Sequence, residues 1–254
     1  MEVLLAIFFG GVIGLLLGLV GGGGSILTVP VLVYVLGEDV HAATATSLVI
    51  VGATALLGVV PHARAGRVAP TTALLFGGAG IGGAFAGAYL NRLASGPVIL
   101  LLFGSLMLVV AGRMVSSRSS AGPAESADMV HGPRWPVLAS GLGVGVLTGF
   151  FGVGGGFLIV PALVLVLGFP MRLAVGTSLA IIAINSGAGI LAHLGTGGID
   201  LPLAALFIAG GFAGVTAGGR LTGRIDEVKL SRGFAVLVAL IGAYLIVRNG
   251  AALA

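Results

Sequence analysis

The chain has 254 residues, of which 57% are hydrophobic and only 8% are charged, with a formal net charge of +4 at pH 7. A soluble domain is typically about 25% charged, so this composition excludes a soluble globular enzyme and a disordered protein. The 12 Lys and Arg residues form no basic stripe, which excludes a nucleic-acid binder. The chain has no cysteine, which excludes disulfides, thiolate chemistry and cysteine-ligated metals.

Ten apolar runs and one polar segment follow one another along the chain. A bilayer core about 30 Å thick needs roughly 20 apolar residues per helix, so the sequence predicts an all-α polytopic membrane protein. The first run has no basic segment before it and no cleavage site after it, and we expect a membrane helix there rather than a signal peptide. The runs are 3–20, 25–36, 42–61, 70–90, 97–112, 137–151, 157–168, 173–192, 201–219 and 233–247.

The polar segment lies between the fifth and sixth runs and is rich in Ser, Ala, Gly and Pro. We therefore predict a first membrane repeat over 1–112, a polar cytoplasmic linker over 113–136 and a second membrane repeat over 137–254.

The two halves repeat each other at an offset of 131 positions, which aligns Pro30 with Pro161 and His62 with His193. Without a gap, 21 of the 49 positions from Gly14 to His62 are identical. Shared hydrophobicity alone would not align proline and histidine. The sequence therefore predicts a duplicated membrane unit.

Glycine clusters interrupt the first segment of each half, as GGGGS at 21–25 and GVGGG at 152–156. The apolar run 25–36, which begins at the last residue of the first cluster, has 12 residues and would make a helix only about 18 Å long, which is too short to span a bilayer. Irregular backbone at membrane depth persists only where it is buried in protein or lines a cavity. We expect each half to be a glycine-broken helical hairpin followed by three transmembrane helices.

The placement of positive charges favours inverted repeats. Inverted repeats would leave Arg92 and Arg248 on one side and ten Lys and Arg residues on the other, whereas parallel repeats would split them six against six. Positive residues collect on the cytoplasmic side, so we predict inverted repeats with both termini outside. The ten residues predicted to be cytoplasmic are Arg64, Arg67, Arg113, Arg118, Arg134, Arg172, Arg220, Arg224, Lys229 and Arg232.

The glycine clusters are candidate anion sites. A helix N-terminus presents unpaired N–H groups and a partial positive charge, and glycine lets a ligand approach the backbone closely. Inverted repeats would bring two such N-termini together near the midplane, where secondary transporters bind anionic groups. The alternative is that these glycines only pack helices. The candidates are Gly23, Gly24, Ser25, Gly154, Gly155 and Gly156.

A Thr-Ser pair follows each cluster at equal spacing, as Thr46-Ser47 and Thr177-Ser178. Their hydroxyls could donate to an oxyanion, or they could bond to the backbone and join helices. Asn185 lies two turns beyond the second pair and is a further candidate ligand.

His62 and His193 end the next helix of each half, and we expect them on opposite faces of the membrane. They are candidate gating or proton-sensitive residues, or simply interfacial side chains at helix ends. They are too far apart to share a metal, and we expect no metal and no cofactor. No Asp or Glu lies inside an apolar run, which disfavours a cation substrate and a carboxylate proton relay. An electropositive centre built from backbone suits an anion.

The broken segments GLVGGGGSILTVPVLVYVLG and GFFGVGGGFLIVPALVLVLGFP, followed by ATATSLVIVG and AVGTSLAIIA, resemble the TauE/SafE family of sulfite exporters. The element formed by His193, Gly197, Ile199 and Asp200 is similar to that family too, although Ala69 replaces the acid in the first half. The resemblance covers essentially the whole chain. It implies export of small sulfur-containing oxyanions, such as sulfite or organosulfonates, across the bacterial inner membrane.

Our leading hypothesis is a secondary transporter or uniporter whose partners are a small anion and the lipid bilayer, with no nucleic acid and with the oligomeric state left open. One alternative is an intramembrane Ser-His hydrolase that uses Ser25 or Ser47 with His62. The absence of a G-x-S-x-G element disfavours it, and so does the alignment of Ser25 with Gly156. Another alternative is a non-transporting membrane subunit of a larger permease.

Overall fold

A computed structural model describes residues 2–38, 40–91, 93, 96–116, 134–151, 156–193, 199–222 and 224–250. Within these ranges all regular secondary structure is helical, which confirms the predicted all-α class for this part of the chain. Most helices coincide with the predicted apolar runs to within a few residues, because the runs consist mainly of apolar and small side chains, whereas the last helix begins at Glu227, six residues before its run.

The first half begins with a helix that breaks at the glycine cluster and resumes after one tight turn. Three longer helices follow. The elements are α1 (Glu2–Val20), a 3₁₀ turn (Gly22–Gly24), α2 (Ser25–Tyr34), α3 (Val40–Arg64), α4 (Pro70–Asn91) and α5 (Gly96–Ser116).

The second half has the same order of helices. Its elements are α6 (Trp135–Phe151), α7 (Gly156–Pro161) with a π-helical continuation (Ala162–Val166), α8 (Met171–His193), α9 (Leu201–Thr222) and α10 (Glu227–Gly250). Helix α5 therefore continues to Ser116 and α6 begins at Trp135, so both ends of the predicted linker are helical.

Several of these helices suit a bilayer. In the described part of the chain, four are long and apolar enough to cross a membrane: Glu2–Val20, Ala45–Arg64, Met171–Leu191 and Leu201–Thr222. Large apolar side chains such as Leu4 and Phe85 face outward, with 77% and 68% of their surface exposed. A hydrocarbon surrounding accommodates such a surface, whereas a soluble monomer rarely exposes a large apolar patch. The chain is a multi-pass helical membrane protein.

Glycines bring α1 against α9. A Cβ atom on Gly10 would collide with the backbone of Phe207, and one on Gly18 would collide with the backbone of Val215. Small residues allow this close approach between helices in membranes. The residue numbers of the two helices rise together, so α1 and α9 run in the same direction.

The contact between α6 and α4 repeats this arrangement at the offset of 131. Gly141 lies against the backbone of Phe76, and Gly149 lies against the backbone of Ala84. These helices also run in the same direction. Each half therefore places its fourth helix on the first helix of the other half.

The equivalent helices α3 and α8 pack against each other in opposite directions. Gly52 contacts Ser186, Gly58 contacts Leu179, and Gly176 contacts His62. Along these contacts the residue numbers increase in α3 and decrease in α8, so the two helices are antiparallel. This pair forms the middle of the molecule, with α9 beside α3 and α4 beside α8.

Candidate functional site

The first glycine cluster reverses the direction of the chain. The backbone N–H of Gly21 donates to the carbonyl of Leu17 at 2.8 Å, which closes the last turn of α1. Gly21 then adopts φ 72°, a left-handed conformation that favours glycine. Gly24 packs back onto α1, where a Cβ would lie 2.6 Å from the carbonyl oxygen of Ile13. The segment is thus a hairpin, and a side chain on Gly24 would meet α1.

The two broken segments meet where α2 and α7 begin. A Cβ on Gly22 would collide with the carbonyl group of Gly156, and the Ser25 hydroxyl fills the space that a Cβ on Gly156 would need. Ser25 and Gly156 are equivalent at the offset of 131, so the starts of two equivalent helices touch. The predicted site residues Gly154 and Gly155 lie outside the described residues.

The first half carries two buried hydroxyl groups at this junction. Ser25 donates to the carbonyl of Gly22 at 2.6 Å. Thr28, one turn further along α2, is completely buried, and its hydroxyl has no hydrogen-bond partner among the described residues. Thr28 was not among the residues predicted from the sequence. The repeat gives no signal for it, because the aligned residue in the other half is Ile159, but its position one helical turn after Ser25 could have identified it.

The predicted threonines tie each half to the other. The Thr46 hydroxyl oxygen accepts a hydrogen bond from the backbone N–H of Asp200 at 3.0 Å, and that of Thr177 accepts one from the N–H of Ala69 at 3.0 Å. The side-chain Oδ1 of Asp200 accepts a hydrogen bond from the N–H of Leu203 at 2.8 Å, which caps the start of α9. These contacts correspond to the helix-joining role that the sequence left open.

Ser178 adjoins the first break, and Ser47 is buried on α3. The Ser178 hydroxyl donates to the carbonyl of Val175 at 2.8 Å. Its oxygen occupies the space that a Cβ on Gly21 would need. Ser178 therefore packs a helix of the second half directly against the break of the first half.

Thr54 and Asn185 are equivalent positions on α3 and α8, and both carry an oxygen without a partner. The hydroxyl of Thr54, which is 1% exposed, and the buried Asn185 Oδ1 make no hydrogen bond within the described ranges. Thr54 packs on Gly211 of α9, and the Asn185 amide packs beside Gly80 of α4. Unpaired buried polar groups are unfavourable, and both groups retain unused hydrogen-bonding capacity.

Thr54 lies at the level of the first break. Gly211, which Thr54 contacts, lies against Gly14 of α1. Gly24 contacts α1 at Ile13, within one turn of Gly14. The unpartnered hydroxyl and the start of α2 thus pack near the same turn of α1.

His62 is 1% exposed and joins three helices. Its Nε2 lies 3.3 Å from the carbonyl of Gly18; a carbonyl only accepts, so Nε2 carries the donated hydrogen. The hydroxyl of Thr222 donates to the same carbonyl at 2.8 Å. His62 Nδ1 has no partner among the described residues. His193 ends α8, and its side chain lies outside the described part.

Two aromatic residues that the sequence analysis missed cover the broken segments. Phe234 of α10 packs on Gly23, and Phe103 of α5 packs edge-to-face on Phe157 of α7, with ring centroids 5.1 Å apart. Phe103 and Phe234 align at the offset of 131, which is the signal that could have found them.

Several basic residues gather at one end of the helices. The carbonyl of Arg67 lies against Gly176, close to His62. The Arg172 guanidinium donates to the carbonyl of Ile225 at 2.9 Å. The end of α3, the start of α8 and the segment after α9 therefore lie together. In the described ranges no group of three His, Cys, Asp or Glu residues could hold a metal ion.

These features define a multi-pass helical membrane protein in which the first helix breaks at a glycine cluster and the break lies against the start of α7. The chain belongs to the TauE/SafE family: the family model "Sulfite exporter TauE/SafE" matches residues 6–245. This confirms the resemblance inferred from the glycine clusters and the Thr-Ser elements.

Similar proteins cover nearly the whole chain. A probable membrane transporter protein of Xylella fastidiosa (strain 9a5c) is 38% identical over 255 residues, covering 99% of this chain and 98% of that protein. The probable membrane transporter protein YunE of Bacillus subtilis (strain 168) is 27% identical, covering 97% and 98%. No solved structure matches the chain. The comparisons support a membrane transporter.

Proposed function

We propose that this protein is a secondary transporter or uniporter that exports small sulfur-containing oxyanions, sulfite or an organosulfonate, across the bacterial inner membrane. Membership of the TauE/SafE family supports this substrate class. The observation that carries the proposal is the contact between Ser25 and Gly156, where α2 and α7 begin.

The chemistry of the junction suits an oxyanion. An anion leaving water needs hydrogen-bond donors to offset its desolvation. The 3₁₀ turn Gly22–Gly24 leads directly into α2, and the start of this helical segment offers backbone N–H groups and the positive end of the helix dipole. The unpartnered hydroxyl of Thr28 adds a donor, and rotation of the Ser25 hydroxyl away from Gly22 would add another. Because these donors carry no full positive charge, they bind the anion less strongly than a cationic side chain would, and the anion can dissociate again.

The remaining candidate residues would shape the break or line the path of the anion. Gly23, Gly24, Gly154 and Gly155 would shape the breaks and let the anion approach the backbone. Thr54 and Asn185 would meet the anion with their unpartnered polar groups as it passes α3 and α8.

The inverted arrangement of the halves is also a proposal, and three observations support it. The equivalent helices α3 and α8 run antiparallel, and the α1–α9 contact recurs between α6 and α4. Basic residues at the end of α3, the start of α8 and the end of α9 lie at one end of the helices. Inverted repeats around a central site permit alternating access by rocking of one repeat against the other.

An intramembrane hydrolase is less consistent with the contacts. A serine nucleophile needs a base within hydrogen-bond reach, about 2.6–3.2 Å. Ser25 donates to Gly22, while Nε2 of His62 bonds to Gly18 and its Nδ1 has no partner among the described residues. Ser25 is therefore not positioned as a nucleophile for His62, and Ser47 lies on the same helix α3 as His62 but 15 positions away, or about 22 Å along the helix axis.

Flux through sealed vesicles that contain only this protein tests the proposal. Sulfite, an alkylsulfonate, sulfate and chloride would each be loaded inside, and release would be compared with that from protein-free vesicles. We expect rapid release of sulfite or the alkylsulfonate. Absence of flux for every anion, with the protein inserted, would instead favour a non-transporting subunit of a larger permease.

A further inference from the structure

Phe234 covers the first break at Gly23. The ring is completely buried, and its Cε2 and Cδ2 atoms would lie 3.0 and 3.2 Å from a Cβ on Gly23. These distances leave no room for a side chain on that face. The aromatic ring thus forms the wall against which the 3₁₀ turn Gly22–Gly24 rests.

Phe103 holds the equivalent position in the other half. It is 4% exposed and contacts Phe157, itself 1% exposed, in the first turn of α7 at an interplanar angle of 90°. Phe103 belongs to the first half and α7 to the second. In the same way, Phe234 belongs to the second half and Gly23 to the first. Each half therefore supplies the ring that braces the broken segment of the other half.

The helices that carry these rings pack on each other. Gly242 of α10 lies against α5, where a Cβ would be 3.0 Å from the carbonyl oxygen of Gly104 and 2.9 Å from Cβ of Met107. Helices α5 and α10 thus pack on each other, and each places one aromatic ring against a broken segment.

We infer that Phe234 and Phe103 are positioning residues for anion binding, each of which holds one broken segment so that the start of α2 stays in place against Gly156. This inference rests on the proposed anion site. A run of glycines has high conformational freedom and no side chains of its own to fix it. Donors that must converge on a ligand need neighbours that lock their geometry. An aromatic ring supplies a large, stiff surface for this purpose.

The first test measures the half-saturating anion concentration in vesicles. Phe234→Leu keeps an apolar side chain but removes the ring edge from Gly23, and it should raise the half-saturating concentration by about three- to tenfold, because preorganised donors lose their fixed geometry. Phe212→Leu is the matched control, since Phe212 is 52% exposed on α9. An unchanged half-saturating concentration in Phe234→Leu would overturn the inference.

A double variant separates positioning from general destabilisation. Gly23→Ala pushes against the ring, and Phe234→Leu frees the space. Each single variant should raise the half-saturating anion concentration by some factor. If the ring positions the break, the Gly23→Ala/Phe234→Leu variant should raise it by less than the product of these two factors. Gly78→Ala is the control, because a Cβ there meets nothing within 4 Å. Effects that multiply would contradict a direct steric role.

Thiol labelling tests whether the Phe234 ring shields Gly23, and it needs no transported anion. The chain has no cysteine, so a Gly23→Cys variant carries a single thiol. Its labelling should be slow and should accelerate at least about tenfold when Phe234→Leu is added, because thiol reactions depend on access. Unchanged labelling, when the unmodified protein transports anions, would overturn the positioning role without affecting the proposed function. Absence of anion flux in the unmodified protein would instead overturn the proposed function, and the positioning role with it.

Discussion

The hydroxyl oxygen of Thr177 on α8 accepts a hydrogen bond from the backbone N–H of Ala69, 3.0 Å away in the loop before α4. The two residues are 108 positions apart and belong to different halves. The same bond recurs at the equivalent positions, between Thr46 and Asp200. The Thr-Ser elements therefore tie each half to a loop of the other.

Loss of this tie should lower stability more than anion affinity. Thr177→Val leaves the buried N–H of Ala69 without its acceptor, which should destabilise the fold by about 1–3 kcal/mol. Thr177→Ser keeps the oxygen and should be close to normal. Thermal unfolding in detergent measures the effect. A Thr177→Val protein of normal stability with a strongly raised half-saturating concentration would restore the ligand role that the sequence suggested.

Thr54 and Asn185 should respond in the opposite way. Their oxygens have no partner among the described residues, so Thr54→Val and Asn185→Leu should be neutral or slightly stabilising, since an unpaired polar group is replaced by an apolar one. Transport should fall if these groups meet the anion. Thr216→Val is the control, because the Thr216 hydroxyl bonds to its own helix at Phe212 and Ala213. Normal flux in both variants would remove Thr54 and Asn185 from the path.

The junction of the breaks should tolerate no side chain at Gly22. A Cβ there collides with the backbone of Gly156, which cannot move aside as a flexible side chain would. Gly22→Ala should therefore abolish transport. A Cβ on Gly156 would lie nearest to the Ser25 hydroxyl, with the Gly22 carbonyl and the Ile182 side chain somewhat farther away, so Ser25→Gly should partly rescue Gly156→Ala. Flux assays and the amount of inserted protein give the answer, and a fully active Gly22→Ala variant would show that the breaks separate more than this structure indicates.

The sequence was sufficient to locate most of the described helices and the first break. Hydropathy marks each segment, and the glycines at 21–24 interrupt the first one whatever it packs against. The repeat also identified equivalent positions, such as Ser25 and Gly156. These features depend on local chain properties, which a single sequence contains.

The contacts across the halves could not be predicted in this way. The offset aligns Phe103 with Phe234, but it does not indicate that Phe234 packs on Gly23 of the opposite half. The role of Thr177 was equally ambiguous, because a hydroxyl can donate to an anion or accept from a backbone N–H. Such choices depend on tertiary packing, which brings Ala69 within reach of Thr177.

The proposed topology can be checked with single cysteines in this cysteine-free chain. Ala65 lies in the turn after α3 and Leu93 in the segment after α4, and both are exposed. Because positive residues mark the cytoplasmic side, an impermeant thiol reagent outside intact cells should label Leu93→Cys but not Ala65→Cys. The reverse pattern would place the arginine-rich end outside and would contradict the orientation.

Export of an anion by this protein should be driven by the membrane potential. A bacterial membrane is negative inside, and moving a unit charge across 100 mV is worth about 2.3 kcal/mol, or roughly fiftyfold in concentration at 25 °C. No Asp or Glu lies inside an apolar run to carry a proton in the opposite direction, and the arginines grouped near His62 would concentrate anions at the inner mouth. We therefore expect electrogenic efflux with no sodium requirement.

Vesicles with a potassium-clamped potential and no pH gradient provide the test, and efflux should rise as the inside becomes more negative. Efflux that ignores the clamped voltage but follows an imposed pH gradient would instead indicate proton coupling, and His62→Gln would then be the first variant to compare.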